Sequence, residues 1–258
     1  MGSKILRWLG ANWPAMALFA GLIVVWQLAV SLLSIREYLL PSPMAVLRAL
    51  IEPETQWWPH LWVTTLEIIG AFVLAGGVGV ALGVAIAWSP RLASALVPFL
   101  VFVNTLPKAA VAPLFLIWMG YGILPNMLIG ALVGFFPVVI NTAVGLTQID
   151  RDLLDLGRVF SAPKWKVFVK IRIPNAYPFI LSALKITATS AVVGAIVGEF
   201  VASQRGLGYV IIATQSSMNT AVAFAALFWI SLMGFLLFGI VAMLTRVLTP
   251  WANNHDNQ

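Results

Sequence analysis

Of 258 residues, 61% are hydrophobic and 9% carry a charge, against roughly 25% charged residues in a soluble domain. A water-soluble globular protein is excluded. Apolar runs that reach or approach the ~20 residues needed to cross a bilayer, without the ten-residue alternation of barrel strands, predict an all-α polytopic membrane protein. With no cysteine there is no disulfide, thiolate chemistry or Cys-based metal site, and only His60 and His255 supply imidazole.

The start, MGSKILRW, has a basic flank but no small-residue cleavage site after its apolar segment, so a retained first helix is expected rather than a signal peptide. That helix is predicted from about Ala15 to Ser34. A polar connection with Pro41, Pro43 and Pro53 occupies residues 35 to 60. Further spans are predicted from Leu61 to Trp88, Leu96 to Met119, Asn126 to Leu146, Phe179 to Val201 and Ala221 to Leu244. Between the last two lies a loop, SQRGLGYVIIATQSSMN. The expected topology is six helices. Lys and Arg favour the cytoplasmic loops, which puts both termini inside: Lys4, Arg7, Arg91, Arg246 and the basic residues of segment 150 to 174 are cytoplasmic, against Arg36, Arg48 and Arg205 outside. No internal repeat suggests inverted halves, so residues 1–258 are read as a single domain. Gly79 and Gly83, Gly130 and Gly134, and Gly194 and Gly198 form GxxxG pairs that serve either intramolecular packing or a dimer face.

Charge concentrates in DRDLLDLGRVFSAPKWKVFVKIRIP, residues 150 to 174. A helix from Asp152 to Phe160 places Leu153, Leu156 and Phe160 on one face with Gly157 among them, and Asp152, Asp155 and Arg158 towards the other. Ser161 and Pro163 break it and begin a second piece, with Trp165, Phe168 and Val169 close together, which Pro174 is expected to stop. Two short amphipathic helices on the cytoplasmic side suit a groove on a soluble partner. They also suit an anionic lipid surface, although Asp150, Asp152 and Asp155 gain nothing there.

LLDLGRVFSAPKWKVFVKIRIPNAYPFILSALKI resembles the cytoplasmic EAA loop of permease subunits of bacterial ATP-binding-cassette importers, and the likeness extends over about residues 55 to 245, leaving 1–54 as an N-terminal helix and connection. Asp155, Leu156 and Gly157 stand at the Glu-Ala-Ala positions, Ser161 replaces the usual Gly, and Ile173 and Pro174 stand for Leu-Pro. The serine puts a Cβ where a positive φ is often wanted. NTLPKAAVAPLFLIWMGYG and AVVGAIVGEFVASQRGLGYVI are similar to segments of the subgroup that imports sulfonates, taurine, nitrate and pyrimidine vitamin precursors. The resemblance implies a type I importer permease in the bacterial inner membrane, paired with a second identical permease. A cytoplasmic ATPase would dock through Asp155, Leu156, Gly157, Arg158, Phe160, Ser161, Trp165 and Pro174, and an extracytoplasmic solute-binding protein would deliver substrate. No phosphate loop GxxxxGK[ST] occurs, so the chain is expected to be non-catalytic and without cofactor, ATP and Mg being bound by the partner; no nucleic-acid partner is implied.

Charges within spans are costly and so are candidates for function. Glu199 is read either as a gating or binding-protein contact or as a helix-end salt bridge with Arg205. Lys108, between Pro107 and Pro113, has either a pathway role or a place at a kink paired with an acid. Asn104 and Asn141 are candidates to line the pathway, although helix–helix bonding is the commoner use of such residues. Glu67 and Lys185, near helix ends, are expected to snorkel. A membrane-embedded enzyme lacks grouped acids, nucleophile or ligands, and an ATP-independent channel or carrier has no use for a docking loop. The expected solute is a pyrimidine or thiamine precursor or similar heteroaromatic, with sulfonate, taurine or nitrate as the alternative.

Overall fold

The computed structural model describes residues 2–250, and at residues 2–12, 15, 156, 158 and 202 the backbone only. The side chains of Lys4, Arg7, Leu156 and Arg158 and the whole of His255 therefore lie outside the described residues. The chain is helical: α1 Gly2–Leu32, α2 Pro43–Ala49, α3 Trp57–Trp88, α4 Pro90–Thr105, α5 Lys108–Met119, α6 Ile123–Thr147, α7 Arg151–Val159, α8 Lys164–Val167, α9 Ile173–Ala202, α10 Leu207–Ser217 and α11 Thr220–Leu248. Four stretches are long and apolar enough to cross a membrane, Trp57–Trp88, Ile123–Thr147, Lys164–Val201 and Thr220–Leu248. The bent pair α4–α5 is either a broken fifth span or a re-entrant loop, and Met16–Leu32 is a shorter apolar helix. This is an all-helical polytopic protein.

Three local expectations are corrected. The span from Leu96 to Met119 is broken, because α4 and α5 meet at 95°. Leu106, placed before Pro107, is extended at φ −61° and ψ 134°, as the steric demand of the proline ring requires. Pro174 does not end the second piece of the charged segment. Residues Phe168–Arg172 form a π turn in which the Ile173 N–H reaches back to the Phe168 carbonyl. A widened turn accommodates a proline that has no N–H and whose ring would crowd an α-helical carbonyl. The helix therefore continues from Lys164 into α9, six residues before the predicted Phe179 start. The loop after α9 contains α10.

The chain forms two compact units. One comprises the residues up to Trp57 with Val210–Phe228. Within it Ser42 caps α2 by accepting from the Ala45 N–H at 3.2 Å, Trp57 Nε1 donates to the Ala49 carbonyl at 2.9 Å, and the Thr220 hydroxyl donates to the Tyr38 carbonyl at 2.7 Å. The other comprises Trp58–Tyr209 with the chain from Trp229. Its centre is the packing of α6 between α3 and α9. All three GxxxG pairs are used there: a Cβ at Gly79 would lie 2.6 Å from Val138 Cβ, at Gly83 2.5 Å from Thr142 Cβ, and at Gly194 2.5 Å from Gly130 Cα. In a bilayer, where lipid is as apolar as leucine, such close backbone approach supplies the packing energy. The Thr187 hydroxyl donates across the same seam to the Gly134 carbonyl at 3.0 Å.

Candidate functional site

Three places gather the polar groups of the second unit. The first is the charged segment. The Asp150 carboxylate caps α7 by accepting from the Asp152 N–H at 3.0 Å, satisfying one orphan donor. At the other end the Ala162 N–H donates to the Gly157 carbonyl at 2.9 Å and Ser161 has φ +50°. This is a Schellman cap with serine in the position that glycine usually fills. Ser161→Gly is therefore expected to stabilise the loop by about 1 kcal/mol, the usual cost of a left-handed residue with a Cβ; a thermal unfolding series on the purified chain reads it. Gly157 is buried against Val167 and Ile171. Phe160 and Trp165 are 75% and 57% exposed, and Asp155 is exposed as well. The segment is held at both roots, since Arg172 Nη1 donates to the Leu146 carbonyl at 3.3 Å and Asn175 Nδ2 to those of Gly145 and Gln148 at 2.8 and 2.9 Å. These side chains satisfy carbonyls that the end of α6 leaves open. The Trp88 and Phe168 rings meet edge to face at 5.0 Å beside an open cavity of about 830 Å³. Pro174 lies half-buried in the first turn of α9.

The second place is the break between α4 and α5. Lys108 Nζ donates to the Asn104 carbonyl and, at 3.1 Å, to Asn104 Oδ1. The ammonium thus sits on the carbonyl end of α4, where the helix dipole favours a cation. The structure brings Lys108 and Asn104 together with carbonyl and amide oxygens rather than with an acid. Asn141 is elsewhere, its Nδ2 donating to the Pro137 carbonyl one turn back at 2.8 Å.

The third place is the start of α10. A helix begins with backbone N–H groups that have no partner within it, and here side chains from two other helices meet them in sequence. The Gly206 N–H donates to His60 Nδ1 at 3.1 Å, the Leu207 N–H to Thr64 Oγ1 at 2.8 Å, and the Gly208 N–H to Glu199 Oε2. Thr64 donates in turn to Glu199 Oε1 at 2.6 Å. Behind this layer Asn126 Nδ2 donates to Glu67 Oε1 at 2.9 Å. Glu67 and Glu199 are each 1% exposed. The His60 ring stacks on Tyr209 with centroids 6.0 Å apart. Gly206 has φ +118°, and a Cβ there would meet the Glu199 carboxyl at 2.4–2.5 Å.

Two expectations change here. Glu67 does not snorkel; it is buried and bonded. Glu199 binds N–H and hydroxyl groups, and Arg205 is not among its hydrogen-bonding partners. The parts that sequence reading did not assemble are His60, Thr64 and Asn126. The spacing of His60, Thr64 and Glu67, at i, i+4 and i+7 on one helical face, was the available signal.

The family model for the inner membrane component of binding-protein-dependent transport systems matches residues 77–250. The chain is 32% identical over 234 residues to the formylaminopyrimidine transport permease protein ThiX of Halalkalibacterium halodurans, covering 90% of this chain and 93% of that one. It is 29% identical to the putative aliphatic sulfonates transport permease protein SsuC of Bacillus subtilis, covering 99% and 92%. Among solved structures, a chain of the MetNI methionine ABC transporter in an inward-facing conformation superposes with a TM-score of 0.64 at 16% identity, covering 74% of this chain and 94% of that one. The chain therefore belongs to the inner membrane components of binding-protein-dependent transport systems: it is a multi-pass, non-catalytic permease subunit of an ABC importer, with no cofactor of its own and ATP left to a separate ATPase.

Proposed function

We propose that the chain conducts a pyrimidine or thiamine precursor, or a similar small heteroaromatic, delivered by an extracytoplasmic binding protein. The likeness to ThiX over nearly the full length of both chains supports this reading. Sulfonate, taurine or nitrate is the second reading, favoured by the likeness to SsuC. The remaining parts of the proposal are a single permease domain with six spans, both termini cytoplasmic, and a homodimer that encloses the pathway. Lys108 and Asn104 at the α4–α5 break, together with Asn141 and Glu199, are the polar groups proposed to serve that pathway or its gate. Uptake of radiolabelled formylaminopyrimidine and taurine by cells expressing the whole importer separates the two solute readings.

The ATPase is proposed to dock on the 150–174 segment, through Asp155, Leu156, Gly157, Arg158, Phe160, Ser161, Trp165 and Pro174. The observation that carries this is a pair of large apolar side chains, Phe160 and Trp165, left exposed on a capped, charge-rimmed turn that is anchored at both roots. An aromatic seated in a partner's groove contributes a few kcal/mol. Phe160→Asp is accordingly expected to cut co-purification of the ATPase by ~100-fold in affinity. Trp165→Glu should act in the same direction. The fold should be kept in both, because neither side chain is buried. Unchanged co-purification and unchanged transport-coupled ATP turnover in both variants would overturn the docking assignment and leave the lipid surface as the role of the segment.

A further inference from the structure

The cavity beside the Trp88–Phe168 pair lies where two apolar, membrane-length stretches have their ends. Trp88 closes α3, and Lys164 and Arg172 stand near the start of the stretch Lys164–Val201; all three line the cavity. Tryptophan at the end of a span, with lysine and arginine beside it, is the composition of the headgroup layer of a bilayer. The open volume of about 830 Å³ falls within the ~300–1,000 Å³ of sites that take small molecules.

The lining carries charge of one sign. Among the described residues that form it, Lys164 and Arg172 are the charged ones, and no Asp or Glu is present. Arg172 Nη1 donates to the Leu146 carbonyl at 3.3 Å, which occupies one N–H of the five on a guanidinium and leaves the rest of the fork for an outside acceptor. Lys164 is exposed, and among the described residues its ammonium bonds no oxygen of the protein. Apolar surface surrounds the two cations: Trp88 and Phe168, with Leu154 and Gly157 from α7. A ligand that matches this lining has a compact anion joined to an apolar body. A free inorganic anion would fill a small part of the volume and leave the aromatic surface wet.

We propose that the cavity binds one anionic phospholipid, with its phosphate between Lys164 and Arg172 and its glycerol and upper acyl chain against Trp88, Phe168 and Leu154. Basic pockets between spans at the depth of the headgroups take anionic lipid in this way. Once filled, the site joins α7 to the end of α3. The charged segment, tied to the core at its roots by Arg172 and Asn175, is then held by the membrane as well, and the anionic content of the leaflet sets how firmly. The site is separate from the proposed ATPase contact, because neither Phe160 nor Trp165 lines the cavity.

Native mass spectrometry tests this on the full-length chain, released from nanodiscs of equal parts phosphatidylglycerol and phosphatidylcholine. It needs neither solute nor ATPase, so the result stands whichever solute or docking surface the importer uses. Wild type should retain one phosphatidylglycerol in preference to phosphatidylcholine. Lys164→Gln should lower that retention ~10-fold, the scale of one lost bond between charged groups. Lys166→Gln removes the same charge from a residue outside the lining and should retain the lipid as wild type does. Ala162→Trp keeps every charge but fills the cavity, and should lose the lipid. Hydrogen exchange at the amides of 152–160 should be several-fold slower in phosphatidylglycerol than in phosphatidylcholine for wild type, and equal in the two for Lys164→Gln. Equal retention of the two lipids by wild type overturns the proposal, and that measurement needs no variant to fold. Equal losses in Lys164→Gln and Lys166→Gln also overturn it, since the lipid would then be drawn by surface charge rather than seated in the cavity. So does glycerol phosphate binding as tightly as the lipid, which would make the site one for a free phosphate.

Discussion

Gly206→Ala should unseat the start of α10 and lower the unfolding free energy of the chain by about 3 kcal/mol, combining the cost of a non-glycine residue at positive φ with loss of a charge-assisted cap. At φ +118° any side chain is strained, and a methyl group there would sit within 2.4–2.5 Å of the Glu199 carboxyl. That contact cannot be relieved by a rotamer change alone, because the Glu199 oxygens are held by Thr64 and Gly208. A double-mutant cycle isolates the clash. With Glu199→Ala already in place, Gly206→Ala should cost only the backbone strain, so the two changes are non-additive. Equal costs in both backgrounds would show that the close approach to Glu199 is unimportant. The Gly208 position gives a milder version, since its Cβ would meet Glu199 Cβ at 2.8 Å.

A comparable loss is expected from Gly194→Val, on the seam between α6 and α9. The added Cβ would lie 2.5 Å from Gly130 Cα and 3.0 Å from Val133 Cγ2. Backbone is the obstacle, so relief requires the helices to separate, which also loosens the Thr187–Gly134 bond. Overpacking of this kind costs 1–3 kcal/mol or more, and a valine at a backbone-to-backbone contact belongs at or above ~3 kcal/mol. The control is Gly77→Val on α3, where an added Cβ meets nothing within 4 Å. Unfolding midpoints in one detergent should fall for Gly194→Val and hold for Gly77→Val. A similar fall in both would mean that helix propensity, rather than packing, sets the effect.

Hydropathy alone located the long helices, because a lipid-facing helix must be apolar along its whole length whatever it packs against. It misjudged the break at Leu106–Pro107, where an apolar stretch runs on although its backbone does not. Pro174 misled in the opposite direction: a proline in sequence reads as a stop, and only the π turn at Phe168–Arg172 reveals a helix that absorbs it. The capped turn at Ser161 was legible from residue types that act locally. The cluster around Glu199 was not, since it joins Thr64 to Glu199 across 135 positions. Glycines gave a partial clue, as Gly206 and Gly208 make room for a carboxylate nine or fewer residues away.

The uninterrupted helix from Lys164 to Val201, 38 residues, is about 57 Å long at the usual rise per residue. Its near end bears Trp165, and Glu199 lies two residues from its far end. A tilt of a few degrees about one end of such a rod carries the other through several ångströms, a distance greater than any hydrogen bond at the start of α10 can span. Whatever moves Trp165 therefore acts on Glu199 by leverage, through a rod that holds both the wide turn at Phe168–Arg172 and Pro178 between handle and tip.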